Sequence, residues 1–411
     1  MERQPNDAGF DAARLQRIAT HFERFYIEPA KIAGCQVAIG RHGHLAYSAS
    51  LGHRDRERDV PLGDDTIFRI YSMTKPITSI ALMQLMEQSL FQLDDPVARF
   101  FPSWRQHQVW VSGTVEGGDM ITEPAHRPVS FRDLLTHTSG LTYGGVLPGM
   151  GDQHPVDAVY RAAQVRSPGV PTTMAAFMDK LAHVPLRFQP GTAYMYSLAT
   201  DACGALVEQI SGMAFADYLD AHILGPLGMV DTAFQVSPDK TGRFAANYAR
   251  TPDKTTVLFD DPTTSAYTRP PAFVSGGGGL TGTVEDYARF CEMLRRGGRA
   301  RWRTDHRTAH TAADANEPPA RRQGSGRARR RDAHAARQRR RRVWPGVRID
   351  DRSGRNRRAQ SRRFLLGRRG LDGILGRSDR GPVGSVHDPA DAIDRVRLPR
   401  PTAQSGLQRD H

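Results

Sequence analysis

Ser72-Met73-Thr74-Lys75 stands at the start of an apolar pattern with helical spacing, and this stretch decides how the chain is interpreted. The pattern predicts a helix with Ser72 and Lys75 one turn apart near its N-terminus. Side chains three residues apart on a helix have β-carbons about 5–6 Å from each other. A lysine amine at that distance can accept the proton of a serine hydroxyl. The stretch therefore predicts a nucleophilic serine with its own base.

The Ser-x-x-Lys pattern is a weak signal by itself, since it should occur about once by chance in a chain of this length. A second copy runs from Ser237 to Lys240, but Pro238 and Asp239 between them predict a turn. A lysine acts as a base only where burial favours its neutral form. The copy on the apolar helix is therefore the candidate for catalysis.

Other segments, in a fixed order between residues 68 and 287, accompany the Ser72 pattern. They are Phe68-Arg69-Ile70-Tyr71-Ser72-Met73-Thr74-Lys75-Pro76, Leu93-Asp94-Asp95-Pro96-Val97, Leu134-Leu135-Thr136-His137-Thr138-Ser139-Gly140-Leu141, Pro190-Gly191-Thr192-Ala193-Tyr194-Met195-Tyr196-Ser197, and Gly279-Leu280-Thr281-Gly282-Thr283 leading into Asp286-Tyr287. Together they resemble the serine beta-lactamase and penicillin-binding-protein superfamily, most closely its beta-lactamase-like (family VIII) carboxylesterases.

This resemblance implies a role for each of three residues. Ser72 is the acylated nucleophile, Lys75 is its base, and Tyr196 is the phenol that carries the proton to and from the leaving group. A tyrosine beside a lysine ammonium is stabilised as the phenolate, which suits that task. Tyr194 is a rival, but the Tyr-Ser pair of the family aligns on Tyr196 and Ser197, so Tyr194 is expected to pack in a loop. The resemblance implies no cofactor.

Leu198 indicates which substrates to expect. In the lactamases an asparagine lies two residues after the tyrosine, and Leu198 occupies that position here. The substitution favours a serine carboxylesterase that hydrolyses short-chain esters. One alternative is a beta-lactamase, a D-amino-acid peptidase or an acyltransferase that uses the same residues. A different alternative is a non-catalytic protein with a basic tail that binds nucleic acid.

Histidine-based and metal-based sites receive little support from the sequence. His137 could suggest a Ser-His-Asp triad, but the resemblance places it in a structural loop motif, where a histidine usually hydrogen-bonds to the backbone. The Gly-x-Ser-x-Gly elbow of an α/β-hydrolase does not occur in the chain. Metal-ligand spacing is also absent among the scattered residues His107, His126, His137, Cys35, Cys203 and Cys291. No metal site is expected.

The third motif of the superfamily is missing from its expected place. This motif is a strand, Lys-Thr-Gly in lactamases and often Trp-Gly-Gly in the esterases, whose backbone N–H completes the oxyanion hole. Lys240-Thr241-Gly242 has the right residues but precedes the predicted helix 284–294, whereas the resemblance places the strand after that helix. Lys240 is therefore expected to be a surface residue.

The composition changes sharply after residue 298. Residues 299–411 contain 30 Arg, no Lys and 12 Asp and Glu, a net charge of +18, whereas residues 1–298 carry a net charge of −5. Only three aromatic side chains occur in this tail, which is too few for a core, so disorder is expected. A basic tail would usually indicate nucleic acid or an anionic surface.

A shift of reading frame explains the tail better. GC-rich DNA read out of frame gives arginine, alanine, glycine and proline without lysine. Read one base later, the codons of residues 365–378 can encode the missing Trp-Gly-Gly motif followed by a strand pattern. Residues 305–311, 343–348 and 386–390 give family-like sequence at the same offset. We therefore expect a frameshift near codons 296–300, which resequencing of codons 290–305 would test.

The expected fold class is α/β (α+β), with an antiparallel sheet flanked by helices and an additional helical lobe. Residues 1–92 and 274–298 would form the sheet lobe, residues 93–273 the helical lobe, and residues 299–411 an arginine-rich segment. The patterns predict a hairpin over 34–40 and 44–52, helices over 131–135, 174–182, 200–210 and 284–294, and loops over 144–157 and 253–271.

Targeting signals are not evident at the polar N-terminus, and no stretch reaches the roughly 18 apolar residues of a membrane span. Three cysteines without an obvious pairing fit a reducing compartment, so a cytoplasmic location is expected. The expected partner is a small-molecule ester, with no nucleic acid and no membrane. The sequence leaves the oligomeric state open.

Overall fold

A computed structural model describes residues 5–145, 154–166 and 169–299 of the chain. Except for Arg299, the tail 299–411 lies outside these residues. So do three predictions that concern it: its disorder, its shifted reading frame and the strand that would complete the oxyanion hole. The predicted division into two lobes stays a prediction. No helix in the described residues is long and apolar enough to cross a membrane.

The described residues include ten α-helices and nine strands. The helices are α1 (Ala12–Leu15), α2 (Arg17–Phe22), α3 (Thr74–Glu87), α4 (Phe131–Leu135), α5 (Pro155–Ala162), α6 (Met174–Ala182), α7 (Ala199–Ser211), α8 (Phe215–Leu219), α9 (Gly225–Leu227) and α10 (Val284–Arg295). The strands are β1 (Gly34–Arg41), β2 (His44–Asp55), β3 (Val60–Pro61), β4 (Phe68–Arg69), β5 (Gln108–Ser112), β6 (Ile121–Pro124), β7 (Asn247–Arg250), β8 (Thr256–Asp260) and β9 (Thr281–Gly282). The mixture confirms the expected fold class.

The predicted hairpin is confirmed and forms most of the largest sheet in these residues. Strands β1 and β2 pair antiparallel and β3 adds to the other edge of β2. His42 and Gly43 form the two-residue turn, with φ angles of 55° and 87°. Positive φ at both central residues is the geometry whose twist matches two antiparallel strands. The turn thus fixes the register in which Arg41 faces His44.

A short strand pair sets the position of the Ser72 stretch. In this pair β4 runs antiparallel to β9, with Phe68 opposite Gly282 and Arg69 opposite Thr281. The buried guanidinium of Arg69 donates to Asp260 at 2.7 Å and to the carbonyl oxygen of Ala245 at 2.6 Å. Because buried charges are tolerated only when they are paired and hydrogen-bonded, these contacts anchor the strand that precedes Ser72.

Helices α3 and α7 form the centre of the main apolar core. Both bury small and branched side chains against each other, which allows a close approach. Phe91 and Phe131 stack with ring centroids 4.0 Å apart beside them. Ser130 caps α4 through a reciprocal pair of hydrogen bonds with Asp133, which satisfies donors at the helix start. The predicted bounds of α4 and α6 are confirmed, and α7 and α10 each extend slightly further than predicted.

Three details predicted for residues 93–273 are wrong. The region is not only helices and loops, because it contains the hairpins β5–β6 and β7–β8. The predicted loop 144–157 overlaps α5, which begins at Pro155, where proline is favoured in the first helical turn. The predicted loop 253–271 contains β8, whose β-branched residues pair with β7.

Candidate active site

Ser72 and Lys75 meet as their spacing predicts. The helix α3 begins at Thr74, and Ser72 lies in the 3-10 turn Tyr71–Met73 that leads into it. Lys75 Nζ lies 3.2 Å from Ser72 Oγ, within hydrogen-bond distance. The serine is exposed, whereas Lys75 is only 9% exposed. An accessible hydroxyl with a buried amine beside it is the arrangement that a nucleophile and its base need.

Tyr71 brings an unusual backbone conformation to the position before the serine. Its φ is +42°, a region that bulky residues rarely adopt. The phenol oxygen accepts a hydrogen bond of 2.7 Å from Asn247 Nδ2, which helps to hold the residue in place. Strained conformations of this kind persist only where surrounding contacts impose them, and they are frequent at active sites.

Among the described residues, one carbonyl oxygen and two aromatic rings lie close to the Lys75 amine. Its Nζ donates to the carbonyl oxygen of Gly277 at 2.6 Å. It also lies 4.5 Å from the ring centroid of Tyr196 and 5.8 Å from that of Tyr143. Within the described residues, no carboxylate lies in ion-pair contact with Lys75. The amine is therefore held by a carbonyl dipole and by the faces of two aromatic rings.

Tyr196 lies beside Lys75, as the resemblance implies. It is half-buried in the segment that enters α7, and its ring lies 5.5 Å from that of Tyr143 and 4.9 Å from that of His137. Tyr194 is different, because it is 65% exposed. Tyr194 lies in a loop, as expected, with most of its side chain in solvent and its ring edge-on to that of His137 at a centroid distance of 6.1 Å. The structure brings Ser72, Lys75 and Tyr196 together, and their catalytic roles stay a prediction.

His137 contacts the Tyr196 segment. Its Nδ1 lies 3.3 Å from Ser197 Oγ, and its carbonyl oxygen accepts a hydrogen bond from the N–H of Met195. The ring thus contacts a hydroxyl, whereas the expected partner was the backbone. Burial, reinforced by the Lys75 ammonium, lowers the pKa of His137 from 6.5 to about 4. The imidazole is therefore neutral near pH 7, which fits a structural role.

We expect this histidine to make the protein sensitive to acid. The unfolded imidazole titrates near pH 6.5 and the folded one near 4, so the unfolded state binds more protons between these values. The free energy of unfolding should consequently fall as the pH falls through this window. His137→Gln should weaken the dependence, whereas His126→Gln, at a side chain 75% exposed, should not. Urea unfolding at pH 7 and pH 5 measures the pH dependence of the free energy of unfolding in each variant. Equal pH dependence in the wild type and in His137→Gln would contradict the role given to His137.

Three residues at the site, Tyr143, Asp201 and Gly277, were not identified from the sequence. Tyr143 faces Lys75 and Tyr196, and burial raises the pKa of its phenol well above the usual value. Asp201, on the first turn of α7, accepts hydrogen bonds from Ser275 and Gly277. The glycine run 276–279 was a visible signal, because four successive glycines indicate a close approach of the backbone. Tyr143 and Asp201 had no comparable local signal.

Leu198 and Lys240 complete the predicted set. Leu198 is 1% exposed and belongs to the main core, so this position offers the site no hydrogen-bonding group. Lys240 Nζ lies 3.0 Å from a carboxylate oxygen of Asp231 and donates to the carbonyl oxygen of Val230 at 2.6 Å. Its side chain is 30% exposed, so it is a partly exposed residue. The Lys240 amine is therefore engaged by Asp231 and Val230, and neither of these residues is part of the Ser72 site described above.

Several known proteins are similar to this chain. Protein Rv1367c of Mycobacterium tuberculosis is 36% identical over 264 residues, which span 64% of this chain but only 62% of that protein. Esterase EstB of Burkholderia gladioli is 32% identical over 303 residues, 70% of this chain and 71% of that protein. The solved structure of EstCE1, a hydrolase with promiscuous acyltransferase activity, matches with a TM-score of 0.58 and 26% identity, over 70% of this chain and 74% of that one.

The family model described as Beta-lactamase matches residues 21–344, well over half of the chain. The match includes Ser72, Lys75 and Tyr196 as well as α3, α7 and the glycine run between β8 and β9. The chain therefore belongs to the beta-lactamase family.

Proposed function

We propose that this protein is a serine carboxylesterase that hydrolyses short-chain esters through an acyl-enzyme on Ser72. The observation that carries the proposal is the 3.2 Å contact between Lys75 Nζ and Ser72 Oγ. The Tyr196 ring beside the same amine supports it. The partner in this proposal is a small-molecule ester, and neither nucleic acid nor a membrane is required.

The proposed reaction has two halves. In the first, Lys75 accepts the Ser72 proton while Oγ attacks the ester carbonyl, and the tetrahedral intermediate expels the alcohol, whose oxygen receives a proton through Tyr196. In the second, water takes the place of the alcohol, gives a proton back along the same route, and releases the carboxylic acid and free Ser72. One ester and one water thus give one acid and one alcohol.

Acyl transfer is the second candidate, and it uses the same acyl-enzyme. An acceptor alcohol would replace water in the second half of the reaction and leave as a new ester. The likeness to EstCE1 favours this candidate, because that structurally similar protein combines hydrolase and acyltransferase activity. Adding a short alcohol during turnover separates the two, since a transferase produces more new ester than acid. Beta-lactam and D-amino-acid peptide substrates are further alternatives at the same three residues.

We expect this protein to prefer esters to lactams. Leu198 provides no amide to bind a lactam side chain, and a site without that partner loses part of its hold on a polar substrate. The kcat/KM for p-nitrophenyl acetate or butyrate should exceed that for nitrocefin by about a hundredfold or more. Initial rates with both substrates on one protein preparation measure the ratio. Comparable values would favour the lactamase alternative.

A further inference from the structure

Two buried side chains, an amine and a carboxyl group, meet at Gly277. Lys75 Nζ donates to its carbonyl oxygen at 2.6 Å, and the N–H of Gly277 donates to Asp201 Oδ1 at 3.1 Å. Lys75 lies on the first turn of α3 and Asp201 on the first turn of α7, where Asp201 is 0% exposed. Within the described residues neither side chain has an ion-pair partner. A single glycine therefore connects a buried amine to a buried carboxyl group.

Further contacts hold the backbone immediately before this glycine. Ser275 Oγ donates to Asp201 Oδ1 at 2.5 Å, and Thr78 Oγ1 donates to the carbonyl oxygen of Gly276 at 2.8 Å. A β-carbon on Gly277 would lie 2.5 Å from Asp201 Oδ2, which is shorter than any normal contact. The absence of a side chain is thus a condition for the approach of Asp201.

The second oxygen of Asp201 is unusual. Oδ2 is buried and has no hydrogen-bond partner among the described residues. A buried carboxylate costs free energy unless it is paired, and an unsatisfied oxygen adds to that cost. Stability alone does not account for such a group. The negative charge is, however, well placed to balance the buried amine of Lys75 across one residue.

We propose that Asp201 is a positioning residue for the base. It fixes Gly277, whose carbonyl oxygen holds Lys75 against Ser72, and its charge stabilises the ammonium that forms when Lys75 accepts the Ser72 proton. This inference rests on the proposed function, because it assumes that Lys75 activates Ser72. Asp201 acts through Gly277 and Lys75, so substrate affinity should not depend on it.

Asp201→Asn tests the inference, because the amide keeps the shape and an acceptor oxygen but removes the charge. We expect the rate at which a fluorophosphonate labels Ser72, and kcat for p-nitrophenyl acetate, to fall about tenfold to a hundredfold. KM should stay within about threefold, since a carboxylate that is 0% exposed offers a substrate no surface to contact. If Asp201→Asn does not fold, Ser275→Ala provides the second variant, with a smaller loss in the same two rates.

Asp286→Asn is the matched control. Asp286 is 3% exposed and accepts hydrogen bonds from the N–H of Asp231 at 2.8 Å and from Thr232 Oγ1 at 2.9 Å. Like Asp201, it is therefore a buried carboxyl group that accepts from one backbone N–H and one hydroxyl. Its loss should lower the melting temperature but leave the labelling rate within about twofold of the wild type. Equal effects of Asp201→Asn and Asp286→Asn on labelling, or wild-type labelling in Asp201→Asn, would overturn the inference.

Labelling also separates this inference from the proposed function. A wild-type protein that takes the label on Ser72 but turns over no ester would refute the esterase proposal, while the labelling rates of the variants would still decide the role of Asp201. A wild-type protein that takes no label on Ser72 would overturn both proposals.

Discussion

Replacing Ser72 by alanine is expected to abolish ester hydrolysis and to leave the fold intact. The hydroxyl is the proposed nucleophile, and losing it should lower kcat by about five to six orders of magnitude. Because Ser72 is exposed and belongs to no apolar cluster in the described residues, the melting temperature should barely change. Steady-state rates with p-nitrophenyl butyrate and a thermal melt measure the two quantities.

Ser237→Ala is the matched control for this variant. Ser237 is the serine of the second Ser-x-x-Lys pattern, and its lysine is directed to Asp231 and Val230. Its replacement should leave kcat/KM within about twofold of the wild type. Activity of Ser72→Ala within tenfold of the wild type, or loss of activity in Ser237→Ala, would refute the assignment of the nucleophile.

Lys75→Ala and Tyr196→Phe should each lower kcat by about three or more orders of magnitude, since one removes the base and the other the proton carrier. Both changes act on one proton-transfer route, so their effects should not add to that of Ser72→Ala. Double-variant kinetics on p-nitrophenyl acetate measure this coupling. Lys240→Ala serves as the control, because it removes a partly exposed ion pair with Asp231 and a hydrogen bond to the Val230 carbonyl, both apart from Ser72. Independent, additive losses would contradict a shared site.

Much of the fold near the site could be predicted because its signals are local. The turn at His42 and Gly43 lies between two alternating runs, which is a strong hairpin signal. The apolar spacing after Ser72 predicted α3, and helical spacing alone placed Lys75 beside the serine. Tyr196 was placed by the resemblance, because 121 positions separate it from Lys75 and no spacing rule reaches that far.

The rest of the site depends on contacts between distant segments. Gly277 and Lys75 are 202 positions apart, and Asp201 and Gly277 are 76 apart. No periodicity reports such contacts, because they arise when α3 and α7 pack together and bring the glycine run between them. The hairpin β7–β8 was missed for a related reason, since the proline and threonine content of 253–271 obscured a short strand that only its pairing stabilises.

The most direct test of the central claim is to capture the acyl-enzyme. The protein is mixed with p-nitrophenyl butyrate, quenched in acid during steady turnover, digested, and analysed by mass spectrometry. We expect one butyryl group on the peptide that contains Ser72, and no such group in Ser72→Ala treated in the same way. An acyl-enzyme on Ser72 would be contradicted if the protein hydrolysed the ester steadily and the butyryl group lay on a different residue. It would also be contradicted if no peptide carried a butyryl group, provided that a butyryl-serine ester survives the acid quench.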